Sequence, residues 1–203
     1  AYEIYQCDWS SDVCSSDLGQ DPLEFRRKMM KNYPKHLAVL NTVAEKSGWG
    51  KPAAPGVFRG ISQHMGYGSY VAAVAEISVS DKGKLKIHRI VAATDCGYVV
   101  NPQQVAAQIE GSFAYGLSAL LYGEMTVKNG RMEQENFDTY EVMKMADMPP
   151  VESYPVPSGG FWGGVGEPTI FVAAPAVLNG IYKATGKRVR ELPLMHQELK
   201  KGA

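Results

Sequence analysis

The sequence VAAVAEISVSDKGKLKIHRIV, residues 71–91, carries the strongest β pattern of the chain. Its odd positions from 71 to 79 are apolar, and the alternation resumes with Leu85, Ile87 and Val91 after a Ser-Asp-Lys-Gly turn. Alternating apolar residues on both sides of a turn sequence are typical of two paired strands. The stretch therefore predicts a long hairpin.

Two helices are predicted before this hairpin. Asp21-Pro22 is typical of a helix start, because proline is favoured in the first turn of a helix. Pro34 ends that helix, and the second helix is predicted over about 35–47 with Gly48 as its C-terminal cap.

A longer helix is predicted after the hairpin, with Asn101 as its N-cap and Pro102 as its first residue. Apolar residues recur along it at helical spacing. Gly111 and Gly116 interrupt the pattern, which indicates close approach by another element or by a ligand at these two positions.

The last third of the chain predicts a short hairpin and a final helix. Asn129-Gly130 is the favoured turn pair, with arms of about 124–128 and 131–136. Residues 169–183 have a mostly helical pattern, which Pro175 should kink or restart. Helices mixed with hairpins predict an α+β fold, with β-hairpins packed against helices, rather than alternating βαβ units.

Residues 1–18 have neither a helical nor a strand period and resemble a translated sequencing adapter. We therefore treat them as a non-native tail and expect the domain to comprise residues 19–203. On this interpretation the gene product begins upstream, and the chain is a fragment of a longer protein.

Charge and cysteine content exclude several classes of protein. The chain has 21 Lys+Arg and 21 Asp+Glu, and the tail holds four acids and no base, so residues 19–203 carry 21 basic against 17 acidic residues, or +4. A charge this small does not indicate a nucleic acid partner. Cys96 is the only cysteine after residue 18, which excludes a disulfide framework and a thiolate metal cluster in that range.

The glycine-rich segment GGVGEP, residues 163–168, holds Glu167, the only charged side chain between Glu152 and Lys183. A helix N-terminus favours a carboxylate, whereas burial favours the protonated acid. A carboxyl group between these influences suits proton abstraction at neutral pH. The residues alone leave two interpretations open, a catalytic base and a structural cap.

Two further groups of residues have weaker signals. Gln108 and Glu110 lie about 200° apart around a helix, so one can face a site while the other faces elsewhere. Arg59, near Gly60 and the sequence GYGS of residues 66–69, has donors suited to a phosphate. The spacing matches no P-loop or dinucleotide pattern, and two ordinary turns explain it better. The four histidines have no metal-ligand spacing.

Taken in order, the sequences TDCG (94–97), VNP (100–102), QIEG (108–111) and GVGEP (164–168) resemble the molybdenum-binding subunit of the xanthine dehydrogenase, or molybdenum hydroxylase, family. The chain is more closely similar to the isoquinoline 1-oxidoreductase beta-subunit type within it. Further similar blocks lie at 19–27, 45–50, 68–72 and 184–188, so the resemblance covers about 19–194. It implies the C-terminal part of a molybdopterin-binding domain of the aldehyde oxidase/xanthine dehydrogenase type.

The resemblance implies a mechanism as well. A pterin dithiolene holds the molybdenum, and no protein side chain ligates the metal. On this resemblance Glu167 would take a proton from a Mo–OH group, whose oxygen would attack a carbon of an N-heterocycle or an aldehyde, with hydride passing to the sulfido ligand. The residues that match cofactor-approaching positions of the family are Gln108, Gly68, Ser69, Gly164 and Gly166.

The family also implies partners. The cofactor is expected in its cytosine dinucleotide form, and electrons are expected to leave through [2Fe–2S] clusters on a small iron–sulfur subunit. The missing upstream part of the same chain would complete the cofactor site and the substrate pocket. Thr169-Ile170-Phe171 departs from the Gly/Pro-rich run of close relatives, which predicts a different local loop shape. The alternative is a cofactor-free binding or assembly module with the same fold.

Overall fold

The computed structural model describes residues 14–200. From residue 21 onward its helices are α1 (Pro22–Met29), α2 (Pro34–Ser47), α3 (Pro102–Leu121) and α4 (Ile170–Thr185), with a 3₁₀ turn at Leu194–His196. The strands are β1 (Phe58–Gly66), β2 (Ser69–Val79), β3 (Leu85–Asp95), β4 (Val127–Lys128), β5 (Arg131–Met132) and β6 (Val151–Pro155).

Most of the predicted tail, residues 1–13, lies outside the described residues. Within its described part, the Ser16 hydroxyl accepts a hydrogen bond of 2.6 Å from Arg188. The adapter interpretation of residues 1–18 stays a prediction.

The predicted long hairpin forms the centre of a four-stranded sheet with the order β1-β2-β3-β6. Strands β2 and β3 pair antiparallel from Tyr70 opposite Asp95 to Val79 opposite Leu85. Strand β1 pairs antiparallel with β2, and β6 runs parallel to β3. The hairpin prediction is confirmed, and β1 is a strand that the sequence pattern did not predict.

Helices cover both faces of this sheet. Val71, Ala73 and Ile77 lie in the larger core with residues of α3 and α4, whereas Ala72 and Val74 lie in a second core with residues of α2. Ala72 and Val74 can be buried on this second face because they too are small or apolar. The predicted α+β character is confirmed.

Four helix boundaries follow the predicted capping signals, but the prediction that Pro34 ends α1 is wrong, because α1 ends at Met29 and Pro34 is the first residue of α2. Asp21 and Asn101 accept backbone N–H groups of the first turns of α1 and α3, and Gly48 and Gly186 end α2 and α4 in the left-handed conformation. Of the kink or restart predicted at Pro175, the restart is wrong, because α4 runs unbroken from Ile170 to Thr185, and the kink stays a prediction. Burial of its apolar side against the sheet offsets the one helical hydrogen bond that a proline removes.

The two glycines of α3 differ in their surroundings. A side chain at Gly116 would lie 2.7 Å from the Ala173 side chain, so this glycine lets α4 pack closely against α3. Nothing lies within 4 Å of a side chain at Gly111. The prediction of close approach is therefore confirmed at Gly116, whereas at Gly111 no described residue approaches.

The predicted second hairpin has its turn at Asn129-Gly130, where both φ angles are positive, at 50° and 76°. Its strands are only Val127–Lys128 and Arg131–Met132, shorter than the predicted arms. All four strand residues are exposed, so no core extends the pairing.

No helix within residues 14–200 combines the length and hydropathy that a bilayer crossing requires.

Arg59 belongs to a charge network within the sheet, which corrects its placement in a turn. Its guanidinium contacts Glu76 at 2.8 Å and donates to the carbonyls of Gly48 and Lys51 at 2.9 and 2.8 Å. Glu76 also contacts Arg89 at 3.1 Å. These contacts join β1, β2 and β3 to the end of α2, so the suggestion that Arg59 holds a phosphate is not supported.

Glu76→Gln is expected to lower the free energy of unfolding of this chain by about 2–3 kcal/mol, because it weakens two charged hydrogen bonds in a mostly buried position. Glu45→Gln is the matched control, since the exposed Glu45–Lys46 pair should contribute about 0–1 kcal/mol. Urea denaturation of both variants measures the difference. Equal midpoints for the two variants would contradict the structural role of the network.

Candidate functional site

The loop of residues 156–169, here called the glycine loop, crosses the sheet where β1, β2 and β3 meet. Gly159 donates its N–H to Gly97 at 2.8 Å, and Gly163 donates to Cys96 at 2.9 Å. Gly164 donates to Tyr67, in the turn between β1 and β2, at 2.9 Å. Backbone hydrogen bonds therefore attach the glycine loop to two segments at the same end of the sheet, the turn between β1 and β2 and the residues that follow β3.

Gly68 and Ser69 contact the glycine loop directly, as their shared assignment to one site requires. The Ser69 hydroxyl donates to the Gly164 carbonyl at 2.5 Å. A side chain at Gly163 would overlap this hydroxyl and lie 2.8 Å from the Gly68 carbonyl carbon. The glycines are required here because two backbone segments approach within contact distance.

Asp95 also attaches the glycine loop to the end of β3. Its side chain is almost fully buried, and Oδ1 accepts the N–H groups of Gly97 at 2.9 Å and Ser158 at 3.3 Å. One carboxyl group thus joins the end of β3 to the start of the glycine loop. The sequence TDCG identified the segment, but only the structure shows that the Asp95 carboxyl group connects it to the glycine loop.

Gln108 reaches the glycine loop from α3. A side chain at Gly166 would lie 3.2 Å from Gln108 Oε1, so the amide lies beside the residue that precedes Glu167. Glu110 instead lines a surface cavity with Met143 and Met145. The two side chains thus have different surroundings, as their angle around the helix predicted, and the role of Gln108 in a site stays a prediction.

Glu167 lies three residues before the first residue of α4, and its carbonyl accepts the N–H of Ile170 at 2.9 Å. The next two residues, Pro168 and Thr169, are buried, and the Thr169 hydroxyl hydrogen-bonds to Ser112 of α3. Glu167 itself is exposed, so the burial expected from the sequence is not provided by residues 14–200. The backbone around the acid is anchored, and its side chain is accessible.

Exposed aromatic residues lie along the glycine loop and on the segments that contact it. Hydrogen bonding with Glu167, more than its charge, raises the pKa of the Tyr67 phenol. Tyr67 also stacks on Phe171, and Tyr98 lies against Trp162 with ring centroids 5.0 Å apart. Sequence reasoning missed these residues, and the adjacent pair Phe161-Trp162 in a glycine-rich loop was the available signal.

The residues present fit a cofactor that brings its own metal ligands. Within residues 14–200, no group of three or more His, Cys, Asp or Glu side chains is placed to hold a metal ion. The site instead offers an amide, glycines without side chains and backbone groups. Gly159 and Gly160, with φ angles of 73° and 88°, adopt backbone conformations that favour glycine at the edge of the loop.

The comparison with known families agrees with this geometry. The family described as a molybdopterin cofactor-binding domain matches residues 21–149, more than half of the chain. The chain belongs to this family. The matched range contains Gly68, Ser69 and Gln108, whereas Glu167 and the glycine loop lie beyond it.

Relatives of this molybdopterin cofactor-binding domain are much longer proteins. The beta subunit of the Brevundimonas diminuta isoquinoline 1-oxidoreductase is 30% identical over 187 residues, which cover 90% of this chain and 24% of that protein. The molybdenum-binding subunit of the Escherichia coli aldehyde oxidoreductase is 28% identical over 151 residues, or 70% of this chain and 21% of that one. The chain therefore spans a quarter or less of the length of these relatives.

Solved structures support the same assignment. The aldehyde oxidoreductase of Desulfovibrio desulfuricans superposes with a TM-score of 0.53 at 27% identity, over 62% of this chain and 14% of that one. The predicted α+β molybdopterin-binding fold and the resemblance to the molybdenum hydroxylase family are confirmed. The roles of the individual site residues stay predictions.

Proposed function

We propose that the full-length protein is a molybdenum hydroxylase that oxidises an N-heterocycle or an aldehyde, with Glu167 as its base. One observation carries the proposal. Gln108 from α3 and the Gly68-Ser69 segment converge on the glycine loop that holds Glu167, although these residues are far apart in the sequence. An accessible carboxyl on an anchored backbone, beside an amide and a glycine-lined edge, suits proton transfer at a bound cofactor.

The residues of this chain have separate roles in the proposal. When bound, the molybdenum cofactor supplies the oxidising equivalents and the activated oxygen. Gln108 would hold the polar edge of the pterin through its amide, and Gly164 and Gly166 would let the cofactor approach the backbone. Glu167 would accept the proton at its carboxylate, because general bases act from side chains that can reach the reacting group.

We further propose that residues 19–203 are the C-terminal part of a larger molybdopterin-binding domain and that residues 1–18 are not native. The upstream part of the protein would complete the cofactor site and the substrate pocket. The cofactor would be the cytosine dinucleotide form, and [2Fe–2S] clusters on a small partner chain would take the electrons. Both relatives above are named as single subunits of their enzymes, which supports an assembly of several chains.

The isolated chain is expected to be inactive and to lack stoichiometric molybdenum, because it supplies only one side of the proposed site. The full-length protein should contain molybdenum, a fluorescent pterin and a cytosine nucleotide that acid hydrolysis releases. Metal analysis and pterin fluorescence on both proteins test this. Activity of the isolated chain would contradict its partial character, and a full-length protein without molybdenum or pterin would favour the cofactor-free assembly module.

A further inference from the structure

Thr169 occupies the N-cap position of α4 but does not cap this helix. A threonine cap usually has an extended backbone, and its hydroxyl accepts a backbone N–H of the first turn. The backbone of Thr169 is helical instead, with φ of −77° and ψ of −13°, and its side chain makes no capping hydrogen bond. Its buried hydroxyl hydrogen-bonds to Ser112 of α3. The hydroxyl therefore joins two helices rather than capping one.

The direction of this hydrogen bond follows from the second partner of Ser112. The Ser112 hydroxyl lies 2.7 Å from the carbonyl oxygen of Ile109, which can only accept a hydrogen bond. Because a hydroxyl has a single hydrogen, Ser112 donates to Ile109 and accepts from Thr169. Ser112 is thus fixed on its own helix and presents an acceptor to the start of α4.

The same face of α3 follows the chain from the end of the glycine loop into α4. Residues 108, 112 and 116 are four positions apart, so their side chains lie on one side of the helix in successive turns. Their neighbours follow one another along residues 166–173 in the same order. These neighbours are Gly166 for Gln108, Thr169 for Ser112, and Ile170 with Ala173 for Gly116.

We propose that Ser112 and Thr169 are positioning residues for Glu167. The inference rests on the proposed function, in which Glu167 is the base. Glu167 lies between Gly166 and Thr169, so α3 adjoins the chain on both sides of the acid. Neither hydroxyl takes part in proton transfer, and their hydrogen bond fixes where the backbone of the acid lies relative to α3.

Little backbone freedom remains between this hydrogen bond and the acid. Pro168 is the one residue between Glu167 and Thr169; it is buried, and its ring restricts φ. The Glu167 carbonyl accepts the N–H of Ile170 at 2.9 Å, which closes a turn over Pro168 and Thr169. A displacement of Thr169 would therefore move the backbone of Glu167. The carboxyl side chain stays accessible while its point of attachment is held.

The positioning role has a test that does not depend on activity, because the Ile170 N–H reports on the turn that contains Glu167. Thr169→Val removes the donor, keeps the shape of the side chain and leaves Ser112 bonded to Ile109. Hydrogen exchange of the Ile170 amide in the full-length protein, resolved to single residues by mass spectrometry, should become about tenfold faster in this variant, as expected for one buried hydrogen bond. Thr169→Ser keeps the hydroxyl and should stay near the wild-type rate. An unchanged rate in Thr169→Val would overturn the proposal.

Thr185→Val is the matched control. It makes the same chemical change at the other end of α4, where the buried Thr185 hydroxyl donates to the Ile181 carbonyl at 2.8 Å. The Ile170 exchange rate and kcat of this variant should equal those of the wild type. Equal changes in Thr185→Val and Thr169→Val would show a general loosening of α4 and would contradict a specific role of the Ser112–Thr169 pair.

The kinetic consequence is measured on the full-length protein. Thr169→Val should lower kcat roughly 10- to 100-fold with KM and molybdenum content nearly unchanged, because displacing a reacting group by about 1 Å can cost about 10²-fold in rate. Thr169→Ser should retain most of kcat. Ser112→Ala added to Thr169→Val should lower kcat little further, since both substitutions remove the same hydrogen bond. A second loss of equal size would contradict a shared role.

The outcomes separate this inference from the proposed function. Wild-type kcat in Thr169→Val, together with lost turnover in Glu167→Gln, overturns the positioning role and leaves the base in place. Wild-type turnover in Glu167→Gln overturns the base and the positioning role with it. Faster Ile170 exchange and lowered kcat in Thr169→Val, both absent from Thr169→Ser, support the positioning role.

Discussion

Glu167→Gln in the full-length protein should reduce turnover by roughly 10²–10⁴-fold, the usual contribution of a positioned general base, while molybdenum content stays near normal. Glutamine has nearly the size and shape of glutamate, but its amide is not a base and cannot accept the proton. The backbone contact from Ile170 to Glu167 does not involve the side chain, so the substitution should not disturb the loop.

Glu110→Gln is the matched control for this variant. It makes the same chemical change on α3, on the side of the helix away from the glycine loop, where Glu110 lines a separate cavity. Its turnover and molybdenum content should equal those of the wild type. Steady-state kinetics with metal analysis on both variants measures the difference, and retained turnover in Glu167→Gln would end the catalytic assignment.

Gly163→Ala is expected to detach the glycine loop from the sheet and to abolish most molybdenum binding by the full-length protein. The added methyl group would overlap Ser69 Oγ and lie 2.8 and 2.9 Å from the carbon and oxygen of the Gly68 carbonyl. Backbone atoms next to a paired strand cannot move aside as a flexible side chain can. Because Gly163 is not among the glycines with positive φ, alanine adds a steric conflict and no backbone strain.

The stability of this chain provides the second measurement for Gly163→Ala. The overlap should lower the free energy of unfolding by about 1–3 kcal/mol, as overpacking does in cores. Gly111→Ala is the control, because nothing lies within 4 Å of its added methyl group. Alanine at this exposed position should stabilise the helix by up to about 1 kcal/mol. Wild-type stability and molybdenum content in Gly163→Ala would show that close approach at this point is unimportant.

The elements that were predicted correctly are those with local signals. The β2–β3 hairpin has apolar alternation on both sides of its turn, and α1 and α3 begin at capping residues followed by proline. Strand β1 was missed because its Ser62, Gln63 and His64 break any alternation. Ser62 and Gln63 are nevertheless buried within the strand, because neighbouring elements enclose them. For example, the Gln63 amide donates to the His36 carbonyl of α2 at 2.8 Å.

The same distinction between local signals and contacts from distant elements applies to the candidate site. Gln108, Glu167 and the glycines were selected from ordered sequence blocks, and the angle around a helix separates Gln108 from Glu110. Tyr67 and Asp95 could not be assigned their contacts in advance. Asp95 and Ser158 are 63 positions apart in the chain, and Ser69 and Gly164 are 95 apart.

The sequence by itself determined the long hairpin, most of the helices, the family and the identity of the one acid in the glycine loop. These depend on periodicity, caps and ordered motifs, which are carried by neighbouring residues. Only the tertiary structure decided that Glu167 is exposed, that Arg59 pairs with Glu76 within the sheet, and that Tyr67 bonds to Gly164 of the glycine loop and stacks on Phe171. Those relations depend on packing between elements distant in the chain, which no local pattern specifies.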